Sequence, residues 1–248
     1  MDGVVAGLKV AMRIICDFDG TITRQDSTDL VLEALAAPQW RALQDDWIAG
    51  RMTAEACTRE QIALIGGSDA DLDAVLDTVE LDPGFRAFVD WSEARGLPLR
   101  IVSDGVDYFI GRILERHGLE RLTRAANRLA GKAGARRLEQ PWRRDDCTNG
   151  TGVCKCAVAR GHQEAGATPN VGATLIFVGD GRSDFCMADH ADIVFAKGLL
   201  AERAKDQNRP FLPFDSFHDV RRGLEVLMGG AANGLNRTGH QSIYPGVS

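Results

Sequence analysis

Apolar positions along this chain recur with two periods, and the change of period divides it. "MRIICDFD" is a short apolar run that ends in carboxylates and a Gly turn, which predicts a buried strand over residues 12 to 19. From about residue 26 to 95 the spacing becomes three and four. "STDLVLEALA", "PQWRALQDDWIAG", "TAEACTREQIALIG" and "SDADLDAVLDTV" each read as a helix with one apolar stripe. Thr53 and Ser68 stand where helix caps belong. The short period then returns. "GLPLRIVSDG" predicts a second core strand, "ATLIFVGDG" a third and "ADIVFAK" a fourth. Between them "VDYFIGRILERHGL" and "KCAVARGHQEAG" predict helices, and "RAANRLAGKAGARRLEQPW" two short strands around a Gly-rich turn. Residues 229–248 show no periodicity and are rich in Gly, Asn and Ser, so a loose tail is expected there.

Strands alternating with helices predict an α/β fold: a Rossmann-like, mostly parallel sheet core with an inserted helical cap. The expected division is 1–24 and 96–228 for the core, 25–95 for the cap and 229–248 for the tail. In such sheets ligands bind beyond the carboxyl ends of the strands. Asp17, Ser103 and Asp180 each sit where an apolar run gives way to a Gly turn, so all three are expected on one rim.

Composition narrows the partners. The 248 residues are 44% hydrophobic and 26% charged, ordinary for a globular chain, and the net charge of −6 gives a nucleic acid or an anionic membrane no electrostatic help. Met1 to Ala11 has no signal-peptide pattern, and no window approaches a membrane span, which leads us to expect a soluble, cytoplasmic protein. Six cysteines without that pattern are expected as free thiols. The stretch "CTNGTGVCKC" invites a zinc reading, but Cys147, Cys154 and Cys156 are one ligand short of a structural site.

The rim carries the chemistry. Asp17 and Asp19 from one strand end, with Asp180 and Asp184 from "GDGRSD", form a carboxylate cluster that repels itself unless a hard cation sits within it. Oxygen ligands of this kind select Mg²⁺. Lys155 supplies a cation, Ser103 a hydroxyl and the Gly-rich turns backbone N–H groups, the parts needed for phosphoryl transfer. Each residue also has a plain structural reading. Ser103 would cap the following helix, Lys155 would be a solvated surface charge, and Asp184 would complement a helix N-terminus.

The ordered set "DFDGT", "IVSDG", "CKCAVAR" and "GDGRSD" resembles the haloacid dehalogenase superfamily of phosphatases over residues 12 to 197. The resemblance implies that Asp17 is a nucleophile forming an aspartyl-phosphate, and that Asp19 is the acid and then the base. It implies a metal held by Asp17, the Asp19 carbonyl and Asp180, with Asp184 behind. It places Ser103, the Asp104 or Gly105 backbone, and Lys155 on the phosphoryl group. A helical insertion after the first motif resembles the phosphoserine-phosphatase branch. Within that branch "DFDGTIT", "VSDGVDYFI", "NRL" and the Cys-rich segment before Lys155 look most like the methionine-salvage phosphatases, which act on 2-hydroxy-3-keto-5-methylthiopentenyl-1-phosphate. The substrate would then be a small phosphorylated metabolite. Asp26 is the candidate substrate contact, or else the cap of the helix after it. Arg24, Asp29, Asp107 and Tyr108 are further candidates near the pocket. Phosphoserine or phosphoethanolamine phosphatases, a phosphotransferase on the same scaffold and a non-catalytic binding protein remain as alternatives. Oligomeric state stays open.

Overall fold

The computed structural model describes residues 11–161 and 172–233. A seven-stranded sheet runs in the order β4-β3-β2-β1-β5-β6-β7. β1 (Met12–Cys16) lies at its centre, parallel to β2 (Leu99–Val106) and β5 (Thr174–Gly179). β6 (Ile193–Ala196) and β7 (Leu212–Pro213) extend one side in parallel; β3 (Thr123–Ala130) extends the other. Only β4 (Arg137–Glu139) is antiparallel, closing the Gly-rich hairpin with β3.

Successive side chains point to opposite faces of a strand, and here both faces are covered. Ile14, Cys16, Ile176 and Val178 enter one buried cluster; Ile15, Leu175 and Phe177 enter the other. This is why the central strands read as continuous apolar runs. On the first face lie α5 (Phe85–Ala94), α6 (Asp107–Arg116) and α10 (Phe217–Asn233), on the second α7 (Lys155–Ala159), α8 (Phe185–Ala188) and α9 (Gly198–Asp206). No helix among the described residues is long and apolar enough to cross a membrane.

The helical insert is α1 (Ser27–Leu35), α2 (Trp40–Ile48), α3 (Ala54–Ala63) and α4 (Asp69–Leu76). Its starts are written in the sequence. The Thr53 side chain accepts the Ala56 N–H, and Ser68 forms a reciprocal capping box with Asp71.

Two boundaries differ from expectation. α5 belongs with the core rather than the cap: the Phe85 and Phe88 rings lie 4.8 and 5.1 Å from that of Phe217 in α10. The chain has already returned to the core at Leu81, which bridges to Thr23. The helical period of residues 85–94 carries no mark of which layer it packs on, so it read as a continuation of the insert. At the other end α10 continues to Asn233, past the tail expected from residue 229, whereas residues 234–248 lie outside the described residues. Gly and Ala there carry no apolar period from which a helix could be read.

Candidate active site

Three adjacent strands deliver their C-terminal ends to one rim. Asp17 follows β1, and its N–H still bonds the Val178 carbonyl of β5 at 2.9 Å. Asp180 follows β5. Ser103 and Gly105 lie where the pairing of β2 with β3 slips between Val102 and Val106, an irregularity of the kind that re-aims side chains beside sites. Ser103 is not a helix cap: α6 starts only at Asp107, and the Ser103 Oγ accepts the Gly105 N–H at 3.0 Å.

Lys155 is wholly buried, so the surface reading fails. Its Nζ lies 2.7 Å from Asp17 Oδ1, 2.5 Å from Asp184 Oδ1 and 3.0 Å from Ser183 Oγ. Burial opposes its charge, but Asp17 and Asp184 outweigh that and hold the ammonium above the usual lysine range. The second oxygen of Asp184 accepts the N–H groups of Asp180 at 2.9 Å and Gly181 at 3.0 Å. Asp184 thus sets both the lysine and the turn carrying Asp180. Thr21 donates to Asp180 Oδ1 at 2.5 Å. Gly20, at φ +72°, makes room for that carboxylate, since a Cβ there would lie 2.6 Å from Asp180 Oδ2.

One carboxylate oxygen from each of Asp17, Asp180 and Asp184 lies within 4.8 Å of the others, the sole such grouping of His, Cys, Asp or Glu among the described residues. Lys155 pairs with Asp17 and Asp184, and Lys197 adds a further attraction on Asp180. Burial, then Asp184, pushes the Asp17 carboxyl well above the usual range; the same two causes lift Asp180 to about 6. A divalent cation with a preference for oxygen fits this donor set. Asp19 is half-buried. Its Oδ1 accepts the Ser27 N–H at 2.8 Å, and burial raises its carboxyl. Its Oδ2 leans over Gly105, where a Cβ would meet it at 2.5 Å.

The rim opens into a cavity of about 690 Å³, a size suited to a small ligand. Asp17, Asp19, Ser103, Asp104, Gly105 and Asp180 line its floor. The helical insert supplies Gln44, Trp47, Ile48, Ala54, Cys57 and Gln61. Arg182, from the turn after Asp180, stands 5.9 Å over the Trp47 ring and links floor to wall. None of these insert residues was singled out from the sequence, because helix periodicity does not tell a pocket wall from a core stripe.

The remaining candidates separate. Asp26 and Asp29 line the cavity, and Asp26 caps α1 by accepting the Thr28 and Asp29 N–H groups. Asp104 turns its carboxylate away to accept the Val153 N–H at 2.9 Å. Asp107 does not reach the cavity; it accepts the Leu129 N–H at 3.2 Å. Tyr108 points outward to Asp73, and Arg24 pairs with Glu80 on the surface. All six cysteines are free. Cys186 lies beside Cys147 and Cys156 of the expected trio, yet these sulfurs do not converge as ligands of one ion do.

The family model for haloacid dehalogenase-like hydrolases matches residues 14–189. The chain belongs to that family. It is 33% identical over 226 residues to a 2-hydroxy-3-keto-5-methylthiopentenyl-1-phosphate phosphatase of Geobacillus thermodenitrificans, covering 89% of this chain and 98% of the relative. A protein of the same description from Geobacillus kaustophilus is 34% identical over 220 residues, covering 86% and 96%. Among solved structures, a phosphoserine phosphatase holding a phospho-aspartyl intermediate analogue superposes with a TM-score of 0.62 at 20% identity, covering 89% of this chain and 99% of that one. The enzyme is a phosphatase of the haloacid dehalogenase-like hydrolases.

Proposed function

We propose that the chain is a Mg²⁺-dependent phosphomonoesterase that hydrolyses 2-hydroxy-3-keto-5-methylthiopentenyl-1-phosphate, the ester named for its relatives. The observation that carries the chemistry is the Lys155 Nζ at 2.7 Å from Asp17 Oδ1, on the floor of the cavity beside Asp180. An attacking carboxylate needs one face ordered and its charge balanced while an anionic ester approaches, and Lys155 does both. Asp17 attacks phosphorus and forms an aspartyl-phosphate as the leaving alkoxide departs. Asp19 donates its proton to that oxygen, and a half-buried carboxyl with a raised pKa is suited to hold one near neutral pH. It then takes a proton from the water that hydrolyses the intermediate. Ser103 Oγ and the Gly105 N–H turn from each other to the phosphoryl oxygens. Asp17, Asp180 and the Asp19 carbonyl would hold the Mg²⁺, which when bound neutralises charge on the phosphoryl oxygens.

The insert wall supports the substrate. Trp47, Ile48, Ala54 and Cys57 offer an apolar surface suited to a thioether, and the Gln44 and Gln61 amides offer partners for hydroxyl and keto oxygens. A second reading rests on Asp26 and Asp29, whose carboxylates on the same cavity would suit an amine-bearing ester such as phosphoethanolamine. Phosphate release across a panel of both ester types tests this, with Mg²⁺, with chelator and with Asp17→Asn. Preferred turnover of the methylthio ester, lost with chelator and in the variant, is expected. Preference for the amine ester selects the second reading, and activity surviving in Asp17→Asn removes the nucleophile.

A further inference from the structure

The cysteines beside the lysine are not used by this chemistry. Cys154 and Cys156 flank Lys155 in sequence, at the start of α7, and their sulfurs lie 3.6 Å apart. Both are buried, Cys154 at 2% exposure; Cys156 keeps 8% and has Arg160 Nη2 at 3.7 Å from its sulfur. The thiols of Cys147 and Cys186 continue the cluster on the Cys156 side, and Cys147 is only half-buried.

We propose that Cys154 and Cys156 are an oxidation site whose disulfide displaces Lys155 and switches the enzyme off. The oxidant is a small peroxide. The Cys156 sulfur attacks one peroxide oxygen, the O–O bond breaks, and a sulfenic acid and one water form. The Cys154 sulfur then attacks the sulfenic sulfur, the S–S bond forms and a second water leaves. The two thiols lose two electrons and two protons, which reduce the peroxide to water. A bonded pair needs its sulfurs at about 2.05 Å, so the two ends of the Cys-Lys-Cys segment must draw together. Lys155 is the middle residue of that segment, and its Nζ is fixed by three partners at 2.5 to 3.0 Å. Pinching the backbone beneath it pulls the ammonium from Asp17. A disulfide closed over three residues is strained, and strained disulfides are the readily reduced ones, so thiols reverse the change.

The inference rests on the place of Lys155 rather than on the identity of the ester. The full-length chain, reduced and then exposed to hydrogen peroxide, is alkylated and its disulfides mapped by mass spectrometry, with phosphate release followed in parallel. A Cys154–Cys156 linkage, with turnover at least tenfold lower and restored by dithiothreitol, is expected. Cys154→Ser and Cys156→Ser should keep the turnover of the reduced enzyme and resist peroxide, whereas Cys147→Ser should remain sensitive. A linkage mapped to Cys147–Cys186 or Cys156–Cys186 overturns the proposal. So does a Cys154–Cys156 linkage without loss of turnover, or a thiolate-to-cobalt absorption band when Co²⁺ is added to the reduced chain. The map is read whether or not an ester is hydrolysed, so a reduced chain inactive on every ester counts against the proposed function alone.

Discussion

Lys155 Nζ bridges Asp17 Oδ1 at 2.7 Å and Asp184 Oδ1 at 2.5 Å with no exposed surface of its own. One buried ammonium therefore serves Asp17, the proposed nucleophile, and the carboxylate that shapes the turn after β5. Replacing it with Met keeps the volume and strands two buried carboxylates. The expected loss is about 3–5 kcal/mol in metal-free protein. Turnover should fall by about 10³-fold or more, as for loss of a charged group at a transferring phosphoryl. Urea denaturation and phosphate release on the same samples check both. An unchanged denaturation midpoint would show that the carboxylates do not depend on the lysine.

Gly105→Ala tests how closely Asp19 is held. The new Cβ would lie 2.5 Å from Asp19 Oδ2 and 3.1 Å from Ser103 Oγ, so the acid must move. A displacement of that size at a proton donor costs about 10²-fold in kcat. The fold should lose little, because the Asp19 side chain can swing toward the cavity it lines. Steady-state kinetics and a thermal melt separate the effects. A kcat equal to that of the wild type would mean that the Asp19 carboxyl works from a different position.

Much of this site is legible in the chain because strand ends announce themselves. Asp17, Ser103 and Asp180 each break an apolar run at a Gly turn, and parallel topology brings such breaks to one rim. Lys155 carries no such mark: in "VCKCAVA" a surface reading stays open, and the structure buries it at the start of α7. Asp107 misled for a related reason. It follows the Ser103 turn closely in sequence, but the helix that starts there turns it to β3. Thr21 and Cys186 were invisible as partners because their contacts, to Asp180 and to Cys147 and Cys156, join segments far apart in the chain.

Metal binding should depend on pH with a defined sign. In the metal-free fold the Asp180 carboxyl is lifted to about 6 from its ordinary 3.8 by burial and Asp184. A raised acid keeps its proton in the folded state while the unfolded chain has lost it. Its contribution to stability is thus fully present below about pH 4 and is lost as pH rises through about 6. Mg²⁺ needs the ionised form, so proton and metal compete. The rise in melting temperature on adding excess Mg²⁺ should be small near pH 5 and grow to a plateau above about pH 7. A rise of equal size at both ends would remove Asp180 from the metal site.

Arg136 ties the insert to the core. Its side chain is 1% exposed, although it stands in the turn before β4. Nη1 donates to the Gly66 carbonyl at 2.7 Å and the Gly67 carbonyl at 3.0 Å, and Nη2 lies 2.8 Å from Asp69 Oδ1. These acceptors form the turn between α3 and α4, so one guanidinium fixes the hinge of the two helices to the hairpin. Arg136→Lys keeps the charge but cannot reach three acceptors in a fork. It should cost about 1–3 kcal/mol through the carbonyls left unpaired. The loss is local, so amide exchange should speed in residues 65–72 and leave β1 and β5 protected. Gln61 and Cys57 of α3 line the cavity, and a loosened α3 should raise KM more than it lowers kcat. Hydrogen exchange and steady-state kinetics on Arg136→Lys decide the point. Slow exchange across 65–72 with an unaltered KM would show that the insert holds its place by its apolar contacts alone.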